Sequence, residues 1–373
     1  MPESKRLVDL VQAEIDAFLD GREPHLAAIG SDLLPFIDYS RDLLRGGKRF
    51  RALFCYWGWQ AVTGQSTGFD VVSADSAASD LPAVVSAASA LEVFHAAALV
   101  HDDIMDNSNT RRGLAAAHKR FESLHNAGEW MGEPGAFGRS AALLLGDLLL
   151  GWSDELFDVG TRRLASLDSR EAARAEFNRM RTEVTVGQYL DILEEQAWRS
   201  FPETELLSRA HRVIVYKSAK YSIEAPLAIG AALGGGSADQ VAALRAFGLP
   251  LGVAYQLRDD LLGVFGDPET TGKPAGDDLR EGKRTVLIAL ARTKLPSNAT
   301  RLLDELLGDP DLTNQQISML QASIRNSGAV EHVERIIDHN VKLAVAVIGD
   351  SPISGAAKHQ LVQLADTVIK RSA

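Results

Sequence analysis

Residues 83–106 constrain the fold more than any other segment. They are apolar nearly all round a helix and end in His101-Asp102-Asp103-Ile104-Met105-Asp106. A helix with no polar face must be surrounded by others, so the segment predicts the centre of a large all-α bundle. Its last turn then raises a difficulty. Carboxylates crowded at the C-terminal end of a buried helix repel one another, resist desolvation and oppose the helix dipole. A bound cation removes all three costs. Asp102 and Asp106 stand at i and i+4 on one helical face, with Asp103 about 100° away. The first two are therefore candidate joint metal ligands, and Asp103 supports them from the side. A solvated acidic helix end is the plainer alternative, but it does not account for the apolar turns that precede it.

A second cluster, Gln256-Leu257-Arg258-Asp259-Asp260-Leu261-Leu262-Gly263, also follows a long apolar helical stretch. It is weaker, because Gly263 holds the i+4 position and a doublet after Arg258 reads equally as a surface ion pair. Gln256 adds a neutral hydrogen-bonding group one turn before Asp259. Two such clusters facing each other would hold several Mg²⁺, whose coordination is usually completed by substrate phosphates.

A basic set matches the acidic one. Gly46-Gly47-Lys48-Arg49-Phe50-Arg51 opens a predicted helix, and glycines before a helix N-terminus suit phosphate. Arg111 and Arg112 follow the first cluster closely; they can pair with its carboxylates or grip the same phosphates. Lys217, Lys273 and Lys283 are uninformative singly. His95, two turns before Asp102, reads on its own as a core histidine.

The rest of the chain is organised by helical periodicity. Leu7, Leu10, Val11, Ile15 and Phe18 line one face of a first helix, and 50–62 reads as another. Residues 64–82 and 126–138 read as loops, and 107–113 as the polar end of the central helix. Further helices are expected over 140–157, 170–197 and 203–233. After the break at 234–237, Ser237 is an N-cap candidate for a helix to about 265, with Pro250 as a candidate kink. A charged loop over 267–283 and two or three more helices complete the chain. No shift in composition divides its 373 residues, so one domain over 1–373 is expected, a single bundle around a deep central cavity.

Charge and cysteine content narrow the class. The net charge of −11 argues against nucleic-acid binding, which needs a basic surface. Cys55 is the single cysteine, so no internal disulfide forms and a reducing compartment fits. The N-terminus lacks the basic start and apolar core of a signal peptide, and no apolar run reaches the roughly 18 residues of a membrane span. A cytoplasmic protein is expected.

At this point the motifs resemble those of the trans-isoprenyl diphosphate synthases, or polyprenyl synthetases, from about residue 41 to 284. Residues 46–51 are similar to the family's GGKxxR motif, and 101–113 to its first aspartate-rich motif with the trailing RRG. Gly187-Gln188 with Asp191 resembles GQxxD, Lys217-Ser218 the KT motif with serine for threonine, and 256–260 the second aspartate-rich motif. One such match is weak; the set in this order is specific.

The resemblance implies a head-to-tail prenyltransferase that joins isopentenyl diphosphate to an allylic diphosphate, working as a homodimer with about three Mg²⁺. It implies that Asp102, Asp106 and Asp259 ligate metal, with Asp103 and Asp260 beside them. Arg111, Lys217, Lys273 and Lys283 would contact the allylic diphosphate. Lys48, Arg51, His95 and Arg112 would bind isopentenyl diphosphate, and Gln188, Asp191, Ser218 and Gln256 would line the reaction centre. Gly263 departs from the family, many members of which carry a third aspartate there.

The growing chain would run down the helix below Asp102, where one turn climbs about 5.4 Å, close to one isoprene unit. Ala97 and Ala98 leave that depth open and Phe94 is a candidate floor, so geranylgeranyl diphosphate is the expected product. Farnesyl or longer products are the alternatives. A class I terpene cyclase would not need the second basic site. An HD-type phosphohydrolase would leave that set unexplained. An inactive regulatory subunit has only Gly263 in its favour.

Overall fold

The computed structural model describes residues 2–64, 80–267 and 276–369. Its contacts gather into two compact units, one of residues 1–176, 226–241 and 353–357, the other of 177–225, 242–352 and 358–373. Almost every described segment is helical, as the periodicity predicts.

In the first unit, α1 (Pro2–Ile29), α2 (Leu34–Leu44), α3 (Phe50–Thr63), α4 (Leu81–Met105), α5 (Ala117–Ala127) and α6 (Pro134–Thr161) form a bundle. The buried face of α1 is Leu7, Val11, Ile15 and Leu19, spaced one turn apart. The segment 83–106 is the core helix α4 as expected, with Val84, Ala87, Ala88, Leu91 and Ala97 fully buried. It is long and apolar enough to cross a membrane, more than the sequence reading allowed, but most of its residues are buried within the protein. α4 packs along α6 through small residues. Gly146 lies under His101, Ser153 donates to the Ala90 carbonyl at 2.8 Å, and Gly160 lies under Ser86.

Two segments differ from expectation. Residues 107–113 do not merely end α4: Thr110–Arg111 pairs antiparallel with Leu114–Ala115 around Arg112 and Gly113, at φ 53° and 76°. Two central residues at positive φ are what a type I′ hairpin needs. The loop over 126–138 is shorter than predicted. Glu133 caps α6 by accepting from the N–H groups of Gly135 and Ala136, so the later glycines are helical.

In the second unit, α7 (Leu167–Ala197, of which 177–197 belong here) is followed by α8 (Glu203–Val213). The expected single helix over 203–233 is instead three segments: α8, a π-helical stretch Ile214–Glu224, and α9 (Ala225–Leu233), of which 226–233 belong to the first unit. α10 (Ala238–Phe265) runs helically through Pro250. Its start is a capping box, with Ser237 accepting from the Gln240 N–H at 3.3 Å and Gln240 Oε1 accepting from the Ser237 N–H at 3.0 Å.

The C-terminal part holds more helices than predicted: α11 (Asp277–Glu281), α12 (Val286–Lys294), α13 (Ser297–Leu306), α14 (Asn314–Asn326), α15 (Ala329–Gly349) and α16 (Gly355–Ile369). Several are short, and their stability comes from one apolar face rather than from propensity. Leu257, Leu261, Leu287, Leu320, Val333 and Ile337 belong to the core of this unit.

Candidate active site

The last turn of α4 presents its carboxylates as the spacing predicts. The N–H of Asp106 donates to the Asp102 carbonyl at 2.8 Å, which places the two side chains one turn apart on one face. Both are half-buried, whereas Asp103 is only 1% exposed. Asp103 is committed elsewhere: Nε of Arg111 donates to its Oδ1 at 2.9 Å, and the Arg111 Nη2 reaches the same oxygen. That Nη2 lies 3.6 Å from Asp102 Oδ2. The buried aspartate therefore aims Arg111 at the Asp102 carboxylate.

The hairpin brings the second arginine to the glycine loop. Arg112 Nη1 donates to the Leu43 carbonyl at 3.2 Å, and its guanidinium lies over Gly47, where a Cβ would stand 3.5 Å from Nη2. Gly46 and Gly47 hold φ of 68° and 82°, a region open to glycine at no steric cost. Lys48 is exposed and Arg51 half-buried at the start of α3.

His95 belongs to this basic group rather than to an indifferent core. Burial first, then the charges of Arg51, Arg112 and Arg111, hold its pKa well below the usual histidine value, with Asp102 opposing them. The ring is neutral at pH 7 and can donate from one nitrogen to a phosphate oxygen. On α4 the half-buried positions His95, Ala98, Leu99 and Asp102 form one stripe, while Phe94 and Ala97 are buried at 4% and 0% exposure.

The second unit gathers the other predicted residues. Lys217 donates to Asp191 Oδ2, and Lys283 Nζ lies 3.3 Å from the same oxygen and 3.2 Å from Glu195 Oε1. Lys217 and Ser218 sit in the π-helical stretch, and Gly187 on α7 lets that stretch approach. A Cβ at 187 would run into the main chain of Tyr216 and Lys217. Gln188 shares α7 with Asp191 and is half-buried.

In the second aspartate cluster, Arg258 is bidentate to Glu334 at 2.6 and 2.7 Å, so it does not pair with the doublet. Asp259 is exposed. Asp260 is 5% exposed; its Oδ1 accepts from Gln256 Nε2 at 2.8 Å, and its Oδ2 has no hydrogen-bond partner among the described residues. Burial pushes the Asp260 carboxyl up to about 7, opposed by the Gln256 hydrogen bond, raised further by Asp259 and Asp191, and opposed by Lys217. Lys273 lies outside the described residues.

Sequence reasoning missed Asp278. A Cβ on Gly263 would run into the Asp278 carboxylate, so α11 supplies a carboxylate where the motif lacks its third aspartate. The signal was available: a glycine at that motif position and an aspartate within the charged stretch over 267–283.

Residues 36–324 match the polyprenyl synthetase family. A geranylgeranyl pyrophosphate synthase structure from Corynebacterium glutamicum, complexed with isoprenyl diphosphate and magnesium, superposes with a TM-score of 0.89 at 36% identity, covering 98% of this chain and 99% of that one. A geranylgeranyl diphosphate synthase of Methanosarcina mazei is 28% identical over 95% of this chain and 97% of its own. A short chain isoprenyl diphosphate synthase of Methanothermobacter thermautotrophicus is 29% identical over 81% of this chain and 84% of its own. The all-α fold is that of the isoprenyl diphosphate synthases it superposes on. Within it, this chain belongs to the polyprenyl synthetase family.

Proposed function

We propose that the protein condenses isopentenyl diphosphate with an allylic diphosphate head to tail and releases diphosphate. The observation that carries this is the convergence of loop 46–51, the 110–115 hairpin and α4, which brings Arg51, Arg111, Arg112 and His95 together beside Asp102. That group suits a diphosphate next to a carboxylate pair.

The donor set fits a hard divalent cation. It is all carboxylate oxygen, and Asp260 keeps an unpartnered buried oxygen. Among the described residues no three candidate ligands form a ready-made site. In this reading Asp102, Asp106 and Asp259 would hold about three Mg²⁺, and Asp278 would supply the carboxylate missing at Gly263. The bound ions would neutralise charge developing on the leaving diphosphate.

The chain's own residues do the rest. Arg111, aimed by Asp103, and Lys217, Lys273 and Lys283 hold the allylic diphosphate as its carbon–oxygen bond breaks and the electron pair leaves with diphosphate. Lys48, Arg51, Arg112 and neutral His95 hold isopentenyl diphosphate, so that its alkene forms the new carbon–carbon bond to the allylic cation. The proton then passes to the departing diphosphate. Gln188, Asp191, Ser218 and Gln256 orient these groups, and the apolar wall of α4 keeps water from the cation.

The product assigned is geranylgeranyl diphosphate, with Ala98 as the open wall below Asp102 and the packed Ala97 and Phe94 behind it. The family match runs through segments of both units, which supports one functional domain. Leu143 and Leu144 on α6 are 50% and 58% exposed, an apolar face that a second copy covers in a homodimer. A reducing, cytoplasmic setting suits the buried Cys55, whose thiol burial pushes up to about 12.

The test is incubation with Mg²⁺, isopentenyl diphosphate and dimethylallyl, geranyl or farnesyl diphosphate in turn, followed by dephosphorylation and chromatography. Geranylgeraniol is the expected alcohol. A farnesol-only or a long-chain product would overturn the product assignment, and no product with any primer would overturn the activity.

A further inference from the structure

The loop that carries Lys48 and leads into Arg51 on α3 has an unusual backbone. Gly46, Gly47 and Arg49 all sit at positive φ, and for Arg49 the value is 49°. An arginine in the left-handed region persists only where its surroundings fix it. A buried polar junction does so here. Arg49 Nη2 donates to Gln12 Oε1 at 2.6 Å and to the Leu44 carbonyl, and Nη1 donates to Glu92 Oε2 at 3.4 Å. The other Glu92 oxygen accepts from the Ala52 N–H at 3.2 Å. That N–H belongs to the first turn of α3, which has no partner within the helix. Arg49 and Glu92 are each 5% exposed.

One carboxylate of α4 thus ties down both the left-handed residue of the loop and the start of the helix that bears Arg51. It sits on the same helix as Asp102, about 15 Å along the axis. It also balances charge. Burial lowers the pKa of Arg112, Glu92 opposes this most strongly, and Arg49, Arg111 and Arg51 add to the lowering. Without the Glu92 charge, Arg49 becomes a buried cation beside these other guanidiniums, and the loop is the part able to move away.

We infer that Glu92 is a positioning residue for isopentenyl diphosphate, holding through Arg49 the loop that aims Lys48 and Arg51; this rests on the condensation reading above. Glu92→Gln keeps the acceptor for the Ala52 N–H and the side-chain volume but removes the charge. Gln12→Ala removes one acceptor of Arg49 and leaves Glu92 in place.

The experiment measures kcat and separate KM values for isopentenyl diphosphate and an allylic primer on the full chain, with melting temperature alongside. Glu92→Gln is expected to raise the isopentenyl diphosphate KM about tenfold while the allylic KM moves less than about twofold. Gln12→Ala is expected to move the same constant in the same direction by a smaller factor. An unchanged isopentenyl diphosphate KM in Glu92→Gln, or a parallel rise of both KM values, overturns the inference while the enzyme reading stands. If Glu92→Gln does not fold, Gln12→Ala decides, and an unmoved isopentenyl diphosphate KM there overturns it. A wild-type protein inert with every primer overturns the condensation reading itself, and this inference with it.

Discussion

At the residue scale, the two aspartate doublets resemble each other in sequence and differ in structure. Asp103 is an internal partner of Arg111, and Asp260 is a buried, proton-hungry carboxyl. Replacing Asp103 with Asn removes the nearer of the two carboxylates beside Arg111, in a largely buried place. The expected cost is about 3 kcal/mol in urea unfolding, with a raised allylic KM. Unchanged stability and kinetics would argue against the pairing. For Asp260 the folded pKa is raised to about 7 from an ordinary value of 3.8, so between those values the folded state holds the extra proton. Its stabilising contribution is fully present below the lower value and is lost as pH rises through the upper one. In chelator, wild type should therefore lose stability relative to Asp260→Asn as pH rises from about 4 to about 7. Parallel profiles for the two proteins would contradict the shift.

The residue types of the site were legible because charge at a buried helix end is costly and so informative. Their pairings were not. Spacing puts Asp102 and Asp106 on one face, yet nothing in it says that Asp103 turns to Arg111 or that Arg258 turns to Glu334. Those choices are made by segments brought together in the fold. The basic character of the His95 environment was hidden for the same reason.

At the element scale, α4 was readable almost to its ends because an all-apolar helix has one environment. The π-helical stretch Ile214–Glu224 was invisible, since π-helices are rare and no start or stop residue marks this one within the helical run. The hairpin at Arg112 and Gly113 was hidden because its turn lacks the usual Asn-Gly pair. Gly187 marks where α7 and the π stretch meet. Gly187→Ala should push the Lys217 main chain away, costing about 1–3 kcal/mol and weakening allylic substrate binding. A variant as stable and active as wild type would show that the close approach is dispensable.

At the scale of the whole molecule, one helix gathers several of the proposed roles. In the proposed function α4 carries the carboxylates that would hold metal, the neutral His95, the clamp residue Glu92 and the wall along which a product would grow. Ala98→Phe should shorten the product by closing that wall. Ala97→Phe, at a fully packed position, should chiefly cost stability, on the order of 1–3 kcal/mol. Equal product lengths in wild type and Ala98→Phe would place the growing chain elsewhere. The fold class was legible from periodicity and the family from its motifs. The extra C-terminal helices were not, because short amphipathic segments gain their helicity from packing.

The most direct test of the central claim compares wild type with Asp102→Ala in the Mg²⁺-dependent incorporation of labelled isopentenyl diphosphate into an allylic primer. The expected result is steady incorporation by wild type and a loss of about 10³-fold or more in the variant. Incorporation by Asp102→Ala at the wild-type rate would contradict the account.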